Sequence, residues 1–373
     1  MHVLVSGAGI AGSALAALLL ARGHRVTVVE SAPRPRPGGQ AVDVRGPALE
    51  VMDRLGLGEP MRAARTVMRG MSVVAPDGTE LTRTTETTLT GGPLGSPDVE
   101  ILRDDLAALL VDAAAGTEWC FGDRVAAIGA DGVRLAGGRT LEPDVVVGAD
   151  GLRSAVGRLA GLVGDGCLRP LGSHLAVYTM PNVFGLDRWQ TFCRFPDGMA
   201  GLYTARENRE VRVNLGFEGE AEYDHRDVAA QKQLIADAFA GRGWWVPRML
   251  EGLADASDFY LAPMTQVVAP RWSTGRTVLL GDAAWCTTPL SGQGTTLALV
   301  GAYLLAHELD VRPVGEAFAA YEDRMRPVAE ADQRLALENS ARVARMMDGA
   351  ADVVAGSDEH WSATSAATAL ALP

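Results

Sequence analysis

Residues 1–30 read MHVLVSGAGIAGSALAALLLARGHRVTVVE. Val3 to Val5 form a short β-type run. Gly7, Gly9 and Gly12 follow in the spacing G-x-G-x-x-G, and Ser13 to Arg22 reads as a buried helix. Gly23 ends that helix, and Arg25 to Val29 makes a second strand closed by Glu30. Each glycine has a task in such a unit. Gly7 permits a tight turn, Gly9 lets the backbone approach a pyrophosphate, and Gly12 lets the helix pack closely on the strand. The helix N-terminus then faces the phosphates. Glu30 stands 18 residues beyond Gly12, at the end of the second strand. A carboxylate there accepts hydrogen bonds from ribose hydroxyls and repels a 2′-phosphate, which favours FAD or NAD over NADP. Strand, glycines, helix, strand and acid stand in register. They predict a Rossmann-like α/β domain with Gly7, Gly9, Ile10, Ala11, Gly12 and Glu30 at its dinucleotide.

A second stretch raises a related question. Residues 278–299 read VLLGDAAWCTTPLSGQGTTLAL. A buried strand ends in Gly281-Asp282. Pro289, Ser291, Gly292 and Gly294 then precede an apolar helix. A carboxylate at a strand tip, followed by a helix that starts on glycine, suits a bulky polar ligand lying across the strand end.

Bulk properties limit the function classes. The length of 373 residues allows two or three lobes with ample core. Formal net charge is −12, which argues against a nucleic-acid backbone as partner. Lys232 is the only lysine, which excludes most lysine-based mechanisms. Cys120, Cys167, Cys193 and Cys286 are scattered without a C-x-x-C, so no dithiol and no metal site is expected. Reduced core cysteines fit a cytoplasmic protein. No stretch approaches a membrane span, and the N-terminus lacks the basic flank of a signal peptide.

The rest of the chain alternates helical and β-type segments. Met71 to Thr82 reads as a hairpin around Asp77-Gly78, and Thr84 to Pro97 as a mobile Thr- and Gly-rich loop. Residues 174–217 hold β-rich runs with turns at Pro196-Asp197-Gly198 and Glu207-Asn208. Helices are expected over Ala48–Leu57, from Leu102 to Gly116, over Val228–Ala240, over Thr295–Leu309 and over Gly315–Met347. The tail from Ser357 is left unassigned. This gives a mixed α/β (α+β) chain. A discontinuous cofactor domain takes residues 1–170 and 265–310, with 68–100 contributing to the substrate side. A β-sheet substrate domain takes 171–264, and C-terminal helices take 311–373. A second strand–GxGxxG–helix unit is missing, so a further dinucleotide would bind without a dedicated domain.

Three motifs in order carry a family resemblance: GAGIAG with Glu30; DVVVGADGLRSAVGR, residues 144–158, with Asp150, Gly151, Ser154 and Arg158; and Gly281-Asp282 with Pro289. Together they resemble the single-component FAD-dependent aromatic hydroxylases of the p-hydroxybenzoate hydroxylase type. The shorter, tetracycline-inactivating members are most similar. The resemblance covers residues 1–160 and 265–340; the middle matches only in β-rich character. It implies FAD as cofactor, NAD(P)H as transient reductant and O2 as co-substrate. The oxygen reaches a phenolic or polyketide-type aromatic through a flavin C4a-hydroperoxide. By the same resemblance Asp282 binds ribitol or ribose hydroxyls, Pro289 packs near the flavin ring, and the amides of Gly294, Thr295 and Thr296 face its pyrimidine edge. Many members carry Asn where Thr296 stands, which puts one side-chain contact in doubt. Arg45, Asp43 and Arg103 fall where the family places groups beside the flavin or its pyrophosphate. Asp150 is expected to fix the D-G turn with some role near the pyrophosphate.

No catalytic side chain is named by this pattern. His174, Tyr178, Arg194 and Tyr203 are the polar substrate-side candidates, and Trp189, Phe192, Trp244 and Trp245 are candidate lining. A prenyl-reductase-like reductase or dehydrogenase on the same scaffold is the alternative function. A flavin halogenase is disfavoured, although GWWVP at 243–247 weakly resembles a halogenase motif, because no lysine lies between the first two motifs.

Overall fold

The computed structural model describes residues 1–89, 92–219, 221–347 and 370–373. Two large sheets organise them. The first has six strands, in the order Ser273–Thr274, Thr277–Leu279, Val145–Gly148, His2–Ser6, Arg25–Glu30 and Glu118–Phe121. All neighbours are parallel except the Ser273–Thr274 edge. Its central runs, Val3 to Val5 and Val145 to Val147, have no exposed surface. Such strands are covered on both faces, which is why they read as unbroken apolar runs. The helix Ile10–Ala21 and the helix Gly294–Val311 pack against each other, and both are buried along most of their length.

The second sheet has seven strands: Tyr260–Val267, Leu168–Pro181, Glu210–Glu218, Gly198–Ala205, Gln190–Phe195, Met71–Val74 and Glu80–Thr84. It is antiparallel except where Gln190–Phe195 pairs with Met71–Val74. The turn between Gly198–Ala205 and Glu210–Glu218 passes through three successive left-handed residues, Arg206, Glu207 and Asn208. One face packs on the helices Val228–Ala238 and Val246–Asp255 through Ala176, Leu202, Val213, Leu215, Ile235 and Met249. The other face meets the cofactor-type domain. From it the Tyr203 hydroxyl accepts the Ala41 N–H at 2.5 Å, and the Arg212 guanidinium donates to the Gly39 carbonyl at 3.1 Å.

Two expectations shift in detail. The helix expected over Ala48–Leu57 is two helices, Pro47–Arg54 and Gly58–Ala63, broken at Gly56 with φ +74°. The Thr84–Pro97 segment is not all loop: Thr87–Thr88 pairs with Gly92–Pro93. The strands of 125–141 form a separate three-stranded meander. The long helix Val314–Met347 packs on the helix Gly294–Val311. Most of the tail from Ser357 lies outside the described residues, but Leu370 and Leu372 pack on the main core.

Candidate cofactor and substrate site

The glycine loop is built by close contact. A Cβ on Gly7 would sit 2.4 Å from the Ala149 carbonyl, and one on Gly12 would sit 2.0 Å from the Gly7 carbonyl. Gly7 also holds φ +108°, where side chains are strained. Gly9 differs: a Cβ there meets nothing within 4 Å. Its missing side chain serves free space outside the chain, as a passing ligand requires. The helix it opens has no side-chain cap, so its first N–H groups have no acceptor from that source.

Glu30 closes this loop. Its Oε2 accepts the Ala8 N–H at 2.8 Å, and its Oε1 accepts from Ala32 N at 2.8 Å and the Ser31 hydroxyl at 3.1 Å. A carboxylate has about four acceptor positions. Three are used within the chain, which leaves room for one ribose hydroxyl.

Asp150 accepts from the Ser154 hydroxyl at 2.5 Å and from the N–H groups of Ala155 and Val156 at 2.8 and 3.1 Å. It therefore caps the short helix Ala155–Leu159 and fixes the turn at Gly151.

At the third motif Gly281 turns the chain at φ +66°, its Cα facing Ala11 so closely that a Cβ would stand 2.9 Å from that methyl. This puts Asp282 beside the start of the first helix. Asp282 is solvent-accessible, as are Gly9 and Pro289. Surrounding protein raises the Asp282 carboxyl above its usual range, opposed by a hydrogen bond with the Cys286 thiol. An accessible carboxylate with protein on all sides lines an internal groove. The helix Gly294–Val311 opens onto the same region, again without a side-chain cap. Gly294 and Thr295 are half-buried there.

Thr296 behaves differently from its two neighbours. Its hydroxyl donates to the Asp43 carbonyl at 3.4 Å and accepts the Arg45 N–H at 3.2 Å. The side chain ties the helix to the strand Ala41–Val44 and faces away from the groove. Asp43 and Arg45 are both buried and joined at 2.8 Å, with Asp98 at 3.7 Å on the other side of Arg45. Each keeps one buried atom without a hydrogen-bond partner, Oδ1 of Asp43 and Nε of Arg45. Burial pushes the Asp43 carboxyl up to about 7; Arg45 pulls it down, while Glu100 and Asp98 add to the rise. Arg103 donates three hydrogen bonds to the carbonyls of Arg36 and Gly38. Burial, with Arg36 nearby, lowers its guanidinium to about 10. It stays cationic at neutral pH and holds the Pro- and Arg-rich loop.

The four substrate-side candidates split between the two faces of the seven-stranded sheet. His174 stacks on Phe217 at 5.1 Å, and Tyr178 donates to the Met249 carbonyl at 2.7 Å. Both lie on the helix-covered face, and burial lowers the imidazole and raises the phenol. Arg194 and Tyr203 are on the opposite face, with Phe192, whose ring lies over Gly201. Trp189 donates to the Ser72 hydroxyl, and Trp244 and Trp245 stack on each other at the helix side.

Sequence reasoning missed the residues that hold the Pro289 loop. Asn339 donates to the Leu290 carbonyl at 2.8 Å, and Gln333 donates to the Val267 carbonyl at 2.7 Å and more weakly to that of Cys286. Both lie on the buried stripe of the long helix with Ala329 and Ala336. Polar residues on an apolar stripe were the available signal.

The FAD binding domain family matches residues 1–335. The chain belongs to the FAD-dependent aromatic hydroxylase-like family. Protein Rv1260 of Mycobacterium tuberculosis is 45% identical over 90% of this chain and 93% of its own, but its name gives no activity. A flavin-dependent monooxygenase of Legionella longbeachae is 33% identical over 90% of this chain and 87% of its own. Among solved structures, tetracycline destructase Tet(51) superposes with a TM-score of 0.84 at 28% identity, covering 100% of this chain and 98% of that one. Tet(55) gives 0.81 at 32% identity, over 91% and 88%. This family member is an FAD-dependent monooxygenase that hydroxylates aromatic compounds, as the three motifs implied. NAD(P)H is the family's usual reductant. Among the described residues no helix is long and apolar enough to cross a membrane.

Proposed function

We propose that FAD lies along the groove from Gly9 past Asp282 to Gly294, and that a phenolic substrate sits between it and the seven-stranded sheet. The observation that carries this reading is the alignment of two uncapped helix N-termini with the accessible Gly9, Asp282 and Pro289. The diphosphate would take the amides of Gly9, Ile10, Ala11 and Gly12, whose partial positive charge favours an anion. Glu30 would accept from one ribose and Asp282 from the ribitol or ribose hydroxyls. Gly294 and Thr295 would offer N–H groups to the flavin's pyrimidine edge, with Pro289 against the ring. Bound FAD supplies the redox chemistry, taking hydride from a nicotinamide and delivering electrons to O2.

The chain's own contribution is electrostatic and steric. The helix dipole at Gly294 stabilises negative charge on the ring edge. The Asp43 carboxyl is raised to about 7, so it exchanges its proton near neutral pH, and its unpartnered Oδ1 can exchange a hydrogen bond with a bound ring. Asp150 and Arg103 act on the backbone around the site. Arg194 and Tyr203 are the substrate-side candidates retained, since the sheet screens the other two from the groove.

The test is reconstitution with FAD followed by simultaneous recording of NAD(P)H oxidation and O2 uptake with a panel of phenols. Substrate-stimulated oxidation with matching oxygen use and a hydroxylated product is expected. Turnover of substrate without oxygen would replace this reading with the reductase.

A further inference from the structure

The segment Leu370–Pro373 is held on the surface of the first domain by its side chains and by its backbone. Leu370 and Leu372 are half-buried and pack on the main core, while Ala371 and Pro373 are exposed. Burial at every second residue is the pattern of an extended chain. Its carbonyls are read by side chains of three helices. Arg324, in Val314–Met347, donates to the Ala371 carbonyl at 2.9 Å. Arg54, the last residue of Pro47–Arg54, donates to the Pro373 carbonyl at 2.7 Å. Tyr303, in Gly294–Val311, accepts from Arg54 and donates to the same Pro373 oxygen at 3.0 Å.

These donors have partners of their own. Glu50 accepts from Arg54 Nε at 3.1 Å and from Nη2 at 2.7 Å, and the Arg54 guanidinium lies over the Tyr303 ring at 4.9 Å. Arg22, just past the helix Ile10–Ala21, lies over the same ring at 5.4 Å. Arg324 pairs with Glu308, which is buried and also holds Arg312. Side chains fixed in this way lose little freedom on meeting a carbonyl, so the arrangement suits an extended Leu-x-Leu-Pro peptide. It stands at the far ends of two helices that begin beside the cofactor groove. Tyr303 is nine residues, about 14 Å, along the helix that opens at Gly294. Arg54 closes the helix that follows Arg45, and the two helices pack on each other. Near the groove they are also joined, because the Thr296 hydroxyl accepts the Arg45 N–H and donates to the Asp43 carbonyl. Their relative setting is thus fixed twice, by Thr296 near the groove and by Arg54, Tyr303 and the Pro373 carbonyl at the other end.

Resting on the placement of FAD in the groove given above, we propose that this seat is a peptide-binding site coupled to the cofactor. Docking of Leu370–Pro373 sets the two helices for FAD, and FAD in turn tightens the seat. A coupling of this kind is reciprocal in affinity and typically about five-fold or more.

The full-length protein carrying Leu370→Ser and Leu372→Ser opens the seat for a test. A fluorescein-labelled heptapeptide with the sequence of residues 367–373 is titrated into it and into wild type, with and without saturating FAD, and followed by anisotropy. Saturable binding to the variant is expected, with a Kd of about 1 mM or tighter, and no binding to wild type, whose own segment fills the seat. FAD should tighten the peptide at least about five-fold. The variant's FAD Kd, read from flavin fluorescence, should be weaker than wild type by the same factor and recover with excess peptide. Arg324→Met added to the variant should weaken the peptide and leave the peptide-free FAD Kd unchanged. A peptide that does not bind the variant, or binds wild type equally well, overturns the seat. Binding with one Kd in the presence and absence of FAD overturns the coupling. The groove placement fails separately: wild-type FAD affinity in Gly9→Val would move the cofactor, while the peptide titration alone decides the seat.

Discussion

Three glycines of one motif have different physical roles, and substitution separates them. Gly12→Ala would drive a methyl to 2.0 Å from the Gly7 carbonyl, so it should destabilise the fold itself. Gly9→Val adds its side chain to empty space. We expect the FAD-free Gly9→Val protein to melt within about 2 °C of wild type, since its cost to folding is only that of a surface change. Its FAD dissociation constant should rise by at least ~10-fold, about 1.4 kcal/mol. Equal melting with equal affinity would move the diphosphate away from Gly9. Asp43 makes a second test at this scale. Its folded value of about 7 lies above the ordinary carboxylate value. Between about pH 4 and 7 the native state keeps a proton that the unfolded chain has lost. Stability from this group is therefore full at low pH and falls as pH rises through that window. Denaturant titrations of the FAD-free Asp43→Asn protein should lose that downward slope relative to wild type. Arg45, Asp98, Glu100 and the more distant Tyr203 face the group and are unchanged in the variant.

At the scale of elements, the loop from Thr287 to Gln293 is not self-supporting. Thr288 holds φ +71°, a strained value for a β-branched residue, and its hydroxyl is buried without a hydrogen-bond partner. The long helix compensates through Asn339 on the Leu290 carbonyl and Gln333 on the Val267 carbonyl. Removing the Asn339 amide leaves that carbonyl unsatisfied, at a cost of ~1–3 kcal/mol. Asn339→Ala should weaken FAD binding several-fold and speed hydrogen exchange at residues 287–293, with exchange in the Val3–Val5 strand unchanged. Uniformly faster exchange would mean a global loss of stability instead. This clamp marks a boundary of what sequence can tell. The glycine loop and the Gly281-Asp282 turn were legible because tight backbone contact leaves few residue types to choose from. The strands of the second sheet were legible from alternation and turn residues. Which face of that sheet meets the site was not. Both faces are covered, one by helices and one by the cofactor domain, so His174 and Tyr178 look no different in pattern from Arg194 and Tyr203. Thr296 shows the same limit on a helix: its position fits the groove, but its hydroxyl is turned to Arg45 and Asp43.

Across the whole molecule, the two sheets are joined by charge as much as by apolar contact. The shared apolar cluster of Ala41, Leu102, Tyr203 and Ala205 is small. Around it Arg206 from the sheet binds Asp104 and Asp105 at the start of helix Arg103–Ala113. Arg212 reaches Gly39 and, at 3.9 Å, Asp104, with Glu210 and Thr179 as its partners on the sheet. These two arginines differ in burial: the Arg212 side chain is 2% exposed and that of Arg206 34%. A buried guanidinium in a satisfied network is costly to remove, because the carboxylate it matched and the carbonyl it bonded are left desolvated and unpaired. A partly exposed one is replaced by water at little cost. Arg212→Met should therefore lower unfolding free energy by ~3–5 kcal/mol, and Arg206→Met by about 1 kcal/mol or less. Gly39 adjoins Arg103 and the strand Ala41–Val44, so the loss at Arg212 should also reach the cofactor. At a temperature where both variants remain folded, Arg212→Met is expected to bind FAD more weakly and Arg206→Met to bind it as wild type does. Equal effects of the two substitutions on stability and on FAD affinity would show that the sheets are held by their apolar contact, with the ionic network adding nothing specific.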